Sequence, residues 1–403
     1  MCSKYLDTLK HTKRQKRKRF LAVSIIVLIG IVWALGFVRS ESDILPQVRR
    51  SIPEADHIIK VADGLYSAWE DSAENHFLGH IVLGEANGYG GPLKVAVAVN
   101  PSGKSIGVVI VAHKETPAWM KLVEKHELLE SMVGKIYTDP FVIGHDIDGV
   151  TGATTTSNTI AEAVLLGSQE AARHLNLPVK PPIPPKIIFG TPEVTLLALF
   201  GIGFIARRRK FMYIKQSRWI SMLAGMIILG FIYNRPLTLV YITKLTMGYW
   251  PRWQTDLYWY FLVGGVLLIF IFSNRNTYCE WFCPFGAAQE CMGVIGGCGL
   301  PKPRYHNAMR MIQRMLALMA ILLGIYFRNP GLSNYELYGT LFGLVGTSIQ
   351  FAILGLVLIA AMFIRRPWCN YLCPIRPVLE IISIFRGWVR ELWQKENIEL
   401  RNS

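Results

Sequence analysis

Nineteen consecutive residues without a charge, "FLAVSIIVLIGIVWALGFV" at Phe20–Val38, constrain this chain more than any other feature. A helix rises about 1.5 Å per residue, so this run matches the roughly 30 Å hydrocarbon core of a bilayer. Five further apolar stretches follow, at Ile187–Ala206, Trp219–Tyr233, Leu257–Phe272, Met315–Phe327 and Gly346–Ile364. The pattern predicts six spans. The first is too long for the apolar core of a cleaved leader, and no A-x-A site follows it.

The formal net charge is +15, which raises the question of nucleic acid. The location of the charge answers it. Of the 43 Lys and Arg residues, 26 lie in residues 1–19, 206–218, 274–314 and 365–403, all on one side if the chain starts inside and crosses six times. The opposite loops, 233–256 and 328–345, carry three and one. Such asymmetry orients membrane proteins, with basic segments inside. The expected organisation is a basic cytoplasmic N-terminus (1–19), a first transmembrane helix (20–38), an outer domain (39–186), helices 2–6 (187–364) and a cytoplasmic tail (365–403). The protein is expected in the cytoplasmic membrane as a multi-pass chain with both termini inside, and no nucleic-acid partner is expected. All seven cysteines fall in the segments assigned to the cytoplasm, and the outer domain has none. This segregation suits thiols kept for ligation or redox work rather than disulfides.

The outer domain closes on the Pro-rich "PVKPPIPPK" (178–186), which reads as a stiff spacer. Inside it, alternating apolar runs predict strands near 79–86, 93–99 and 106–113. The 3.6-residue periodicity of 117–133 and 157–175 predicts two helices. The fold class is therefore an α+β outer domain joined to an all-α bundle of six transmembrane helices.

The segment "DIDGVTGATTTSNTIAEAV" (146–164) enters the second of these helices through five threonines. One hydroxyl suffices for a helix cap, and Thr156 or Ser157 would supply it. Free N–H groups at a helix start also suit a phosphate, and Gly152 and Ala153 let the backbone approach it. "DGVTGAT", Asp148 to Thr154, resembles the flavinylation motif of the FMN-binding domains of the Rnf and Nqr complexes and of NosR. "GYGGPLKVAVAVNPSGKSIGVVIVAHKETP" (88–117) is similar to that family's Gly-Tyr-Gly-Gly-Pro strand and His-x-Glu-Thr-Pro turn. The resemblance implies FMN linked through its phosphate to Thr154 by a flavin transferase. The implied cofactor-binding residues are Thr154, Asp148, Thr151, Gly152, Ala153, Thr155, Thr156, Glu115 and Thr116. Where the family often continues with Gly-Leu-Gly, this chain has Ala118, Trp119 and Met120. Trp119 is there a candidate to stack on the flavin ring.

A second motif, Cys-x-x-x-Cys-Pro, occurs twice: "CEWFCP" with Cys279 and Cys283, and "CNYLCP" with Cys369 and Cys373. Each follows an expected span, which places both at the cytoplasmic membrane face. Cysteines four apart share a face if helical, and the proline ends or redirects the chain. Four thiolates meet the need of an iron–sulfur cluster; by count alone zinc fits equally, and two buried packing pairs are the plain alternative. Cys291 and Cys298 match no ligand spacing.

FMN domain, spans and paired cysteine motifs together resemble the NosR/NirI family. The chain lacks the ferredoxin-like tail of the larger members. Its layout is similar to the compact, PceC-like members associated with reductive dehalogenases and organohalide respiration. The resemblance implies electron transfer from quinol or a cytoplasmic donor, through covalent FMN, to an outer reductase. A membrane-bound redox-sensing regulator or maturation factor is the alternative, and no substrate reaction of its own is assigned. The Tyr- and Trp-rich loop at 234–261 reads as an interfacial belt rather than a quinone site. Glu193 stands as an ionisable group within an apolar run, as a proton relay or a headgroup-level residue. The outer-domain histidines show no ligand spacing.

Overall fold

A computed structural model describes residues 2–39, 44–71, 76–150, 152–180, 187–208, 213–273, 276–299 and 303–402. Thr151 and residues 181–186 of the Pro-rich spacer lie outside the described residues.

The chain opens with a long helix, α1 (Cys2–Arg39), and a short one, α2 (Leu45–Arg49). Five strands follow: β1 (His57–Ala62), β2 (Leu65–Trp69), β3 (Phe77–Asn87), β4 (Pro92–Val99) and β5 (Ser105–Ala112). They form one antiparallel sheet in chain order. The three expected strands are β3, β4 and β5, with ends moved by one or two residues. β1 and β2 were not anticipated. β1 shows no inside–outside alternation, so it gives no period-2 signal. The cue that marks them is the two-residue turn Asp63–Gly64, where Gly64 adopts φ +76° and Ala62 pairs with Leu65.

The sheet is covered on both faces, and β4 shows how. Val95, Val97 and Val99 belong to the core shared with α3 (Pro117–Lys125) and α4 (Thr154–His174). Ala96 and Ala98, pointing the other way, pack with Val48, Ile52 and Ala55 around α2. Large residues line the helix-covered face and small ones the other, as a strand with side chains of period 2 allows. The helix expected over 117–133 stops at Lys125: Glu127 takes φ +50°, and the chain turns before a 3-10 segment at Glu130–Met132. Leu128 and Met132 still reach the same core. The helix expected from Ser157 begins at Thr154 instead, with Ala153 as its N-cap. Ser157 and Thr159 bond back to the carbonyls of Ala153 and Thr155, so they are interior hydroxyls rather than caps.

The remaining chain is helical: α5 (Thr191–Arg208), α6 (Ile214–Ala224), α7 (Leu239–Met247), α8 (Leu257–Ser273), α9 (Thr277–Trp281) and α10 (Pro284–Ile295), then α11 (His306–Tyr326), α12 (Tyr338–Phe342), α13 (Ser348–Phe363), α14 (Pro367–Tyr371) and α15 (Ile375–Asn402). Among the described residues, two helical stretches are long and apolar enough to cross a membrane, Gln15–Arg39 within α1 and α11. The pair α8 with α9–α10, bent by 102°, makes a third if it counts as one span. Thr191–Ala206 and Ser348–Phe363 are apolar but shorter. The expected span Trp219–Tyr233 is shared between α6 and a π-helical segment, Gly225–Ile232. Glu193 is buried and accepts the Gly190 N–H at 2.8 Å, capping α5.

One close approach fixes how α4 seats on the sheet. A β-carbon on Gly84 of β3 would overlap the carbonyl oxygen of Ala163, and Gly167 of α4 faces the same spot. Gly84→Ala is therefore expected to destabilise the domain by at least the ~1–3 kcal/mol typical of overpacking. The drop would show as an earlier denaturation midpoint; an unchanged midpoint would mean the helix is not seated on this glycine.

Candidate functional site

The first turn of α4 carries an unfilled helix terminus. Its N-cap, Ala153, offers no side-chain hydrogen bond, so the leading N–H groups remain available to an anion. Gly152 turns the chain at φ +84°, and a β-carbon there would lie 2.7 Å from Val345 Cγ2 of the helical half. Thr154 and Thr155 are exposed, and Asp148 is exposed on the preceding loop. Thr156 is buried and points elsewhere: its hydroxyl donates to Glu115 Oε2 at 3.0 Å. Asp146, which carries no role in the motif, holds the approach loop by accepting N–H groups from Phe141 and Val142 and pairing with Lys135 at 3.1 Å.

Glu115 is fully buried and joins three parts of the molecule. Besides Thr156, it accepts the Gly90 N–H at 3.2 Å. Burial pushes its carboxyl up, while the Gly90 and Thr156 hydrogen bonds and the Lys244 charge pull it back. Lys244 of α7, buried and pushed down for the same reason, donates to the carbonyls of Gly88 (2.7 Å) and Tyr89 (3.3 Å). Thr116 accepts from Asn334 Nδ2 at 3.4 Å. Trp119 packs edge-on to Tyr89, with ring centroids 4.6 Å apart, so its partner within the chain is a tyrosine. His113 Nδ1 is buried without a hydrogen-bond partner among the described residues. Burial, then the Lys114 charge, hold this imidazole below its ordinary range, and a ligand could satisfy the orphaned nitrogen. Free helix-start amides, exposed threonines and an orphaned ring nitrogen fit a flavin phosphate and ring.

The Tyr- and Trp-rich loop divides. Trp250 and Trp253 are exposed, as an interfacial belt requires, but Tyr241, Tyr258 and Trp259 are buried in the helical core.

The two cysteine motifs fold alike, and not as expected. Cys279 is the third residue of α9, and Cys369 the third residue of α14. Helix then stops. In the first motif Tyr278 O accepts N–H groups from Phe282 and Cys283 (3.0 and 2.8 Å); in the second Trp368 O accepts from Leu372 and Cys373 (2.9 Å each). Cys283 is extended (φ −60°, ψ 119°), and Pro284 opens α10, since proline at a first helical position loses no hydrogen bond. The cysteines of a pair therefore share no helical face, and the proline starts a helix instead of ending one.

Nor do the motifs stay at one end of the bundle. Cys283 and Cys373 are buried in the helical core, Cys279 and Cys369 half-buried. The hairpin tips reach the two loops assigned to the opposite side. Tyr278 OH accepts the Leu237 N–H at 2.9 Å, Tyr335 OH donates to Leu372 O at 3.0 Å, and Tyr338 OH lies 3.7 Å from Cys373 Sγ. Arg366 donates to Cys279 O (2.6 Å) and pairs with Glu290 (2.8 Å). Gln289 Nε2 donates to Cys369 Sγ at 3.2 Å while its Oε1 accepts the Trp368 N–H. Gln313 donates to Cys373 O at 2.8 Å. Cys279 lies within electrostatic reach of Cys283, Cys369 and Cys373. Among the described residues, no three Cys, His, Asp or Glu side chains converge on one metal ion. The four thiolates of a [4Fe–4S] cluster each take a different iron and need no such convergence. The donor set fits the cluster. Cys291 sits about 12 Å of helix beyond Cys283, and Cys298 folds back on Gly293. Glu336, Lys244, Tyr278, Gln289 and Arg366 carry no motif and were not singled out from the sequence.

Comparison with known proteins agrees with this division. Residues 88–166 match the FMN-binding domain model, and residues 255–303 with 349–391 match a 4Fe-4S binding domain model. The chain is 28% identical over 218 residues to Protein NirI of Paracoccus denitrificans, covering 49% of this chain and 31% of NirI. It is 26% identical over 159 residues to Regulatory protein NosR of Stutzerimonas stutzeri, covering 35% of this chain and 21% of NosR. Over 151 residues it is 28% identical to one component of the proton-translocating ferredoxin:NAD(+) oxidoreductase complex of Clostridium ljungdahlii, covering 35% of this chain and 80% of that component. The chain thus spans less than a third of NirI and of NosR. It carries an FMN-binding domain and a 4Fe-4S domain and is homologous to NirI, to NosR and to this component of the oxidoreductase complex.

Glu336 gives this region a pH dependence. Its carboxylate is buried, accepts the Leu239 N–H at 3.0 and 3.1 Å, and is pushed by burial from an ordinary 4.5 to about 8. A raised carboxyl binds its proton more tightly in the folded state, so stability falls as pH rises between about 4.5 and about 8. Glu336→Gln keeps an oxygen for Leu239 and is expected to flatten that decline in denaturation midpoints measured across this range.

Proposed function

We propose that this chain is a membrane electron-transfer protein that carries FMN on Thr154 and an iron–sulfur cluster on Cys279, Cys283, Cys369 and Cys373. The observation that carries the reading is the contact between the FMN-binding domain and the helical half. The FMN-domain loop Gly88–Gly91 is held by Lys244, and Leu237, two residues before α7, meets Tyr278 beside Cys279. Cys283 and Cys373 lie in the helical core, against which Tyr89 of the glycine loop packs, while the first turn of α4 belongs to the core between sheet and helices.

Each residue has a definable task. The open first turn of α4 receives the phosphate, and the exposed Thr154 hydroxyl is the attachment point. Thr155, Gly152, Ala153 and Asp148 form its surround. Glu115 fixes Thr156 and the Gly90 backbone, and thereby the distance between the glycine loop and the helix start. Thr116 ties the following turn to Asn334. At the cluster site, Gln289 and Tyr338 place donors near Cys369 and Cys373, and such hydrogen bonds to sulfur tune a cluster's potential. FMN supplies one- and two-electron redox chemistry, and the protein supplies retention and orientation. Covalent attachment suits a domain outside the cytoplasmic membrane, where a lost flavin is hard to replace.

The basic segments support six spans with both termini cytoplasmic and the FMN domain outside. In that arrangement the electron donor is the quinol pool or a cytoplasmic protein, and the acceptor an outer reductase, with a reductive dehalogenase the partner that the resemblance implies. A flavin transferase would complete the cofactor. Similarity to a protein named as regulatory supports a second reading, a redox-sensing regulator or maturation factor for that reductase.

In-gel fluorescence of the denatured protein tests the attachment. Wild type is expected to fluoresce and Thr154→Val to lose the signal entirely, while Cys279→Ser retains the flavin but loses iron. Fluorescence absent from wild type would leave Thr154 as an ordinary helix start.

A further inference from the structure

The two matched domains are joined by more than packing. Tyr89, in the glycine loop of the FMN domain, places its hydroxyl 2.7 Å from Thr238 Oγ1. Leu237, the neighbouring residue, donates its N–H to Tyr278 OH at 2.9 Å. Tyr278 is bonded through the chain to Cys279, and its carbonyl accepts the Cys283 N–H at 2.8 Å. On the other side, Gly90, bonded to Tyr89, donates to Glu115, whose second oxygen takes the Thr156 hydroxyl two residues from Thr154. Covalent bonds and five hydrogen bonds thus lead without a gap from the first turn of α4 to two of the four cysteines. From Thr156 onward the groups on the route are buried or half-buried. The Tyr89 phenol is the residue of the FMN domain that packs against the helical core.

We infer that Tyr89, the Leu237–Thr238 pair and Tyr278 form the electronic bridge between flavin and cluster. The inference rests on the proposed electron transfer. One electron lost by the reduced cluster is gained by the flavin, or the reverse. No bond forms or breaks along the bridge, and both phenol protons stay in place. The two tyrosines are positioning residues: each phenol oxygen closes a break that the backbone leaves open. Tyr241 packs against Tyr89 at a tilt, with centroids 5.4 Å apart, but its hydroxyl takes no part in the route.

The test uses the full chain, loaded with FMN and cluster, in detergent. A light pulse in the presence of an amine donor reduces the flavin, and its absorbance is followed as the electron equilibrates with the cluster. Redox titration and the cluster's electron paramagnetic resonance spectrum are recorded in parallel. Tyr278→Phe and Tyr89→Phe are expected to slow the exchange several-fold, with both midpoint potentials and the spectrum unchanged. Tyr241→Phe is expected to leave the rate as in wild type. Unchanged rates in Tyr278→Phe and Tyr89→Phe, or equal slowing in Tyr241→Phe, would overturn the bridge alone. No exchange in wild type would overturn the electron-transfer reading and the bridge with it.

Discussion

The arrangement depends on a buried carboxylate. Glu115 has no exposed surface, and an unpaired carboxylate in such a place is costly. It is held by the Gly90 N–H and the Thr156 hydroxyl, with Lys244 nearby. Those contacts come from the β3–β4 loop, the first turn of α4 and α7 of the helical half. One acidic group thereby sets three separations at once. The glycines around it serve the same end: a β-carbon on Gly88 would overlap Glu115 Oε1, and one on Gly90 would overlap the Lys114 carbonyl.

The cysteine hairpins solve a related problem in apolar surroundings. A thiolate pair needs chain reversal, and chain reversal strands backbone N–H groups. Both motifs answer it alike, with one carbonyl taking two N–H groups and a proline that has none. Gln289 and Arg366 then tie the two hairpins together through backbone and sulfur atoms, and Gln313 holds the second one to α11. Arg366 does so from a left-handed conformation, φ 50°, a strained state that persists only where surroundings fix it. Its Cys279 and Glu290 contacts supply that fixing.

Parts of this were legible because they are local. The strands β3–β5, the helix after the threonines and the repeated Cys-x-x-x-Cys-Pro each write themselves into adjacent residues. β1 and β2 were missed because neither alternates: β1 runs from half-buried to exposed, and β2 is buried on both faces. The start of α4 was placed three residues late because Ser157 resembles a cap but bonds back to Ala153 inside the helix. Residues such as Lys244, Glu336 and Tyr278 have no pattern around them. Their roles come from partners 41 to 156 positions away.

The sequence by itself determined the kinds of chemistry present: an apolar helical half, a strand-rich domain with a hydroxyl-laden helix start, and four thiols in two equal motifs. These follow from periodicity and composition, which act over a few residues. Only the tertiary structure decided that the cysteine motifs fold back into the core, reach the loops expected on the far side, and stand one hydrogen-bonded dipeptide away from Tyr89. That outcome is set by burial. Polar groups taken from water must find partners, and in this fold those partners come from distant parts of the chain.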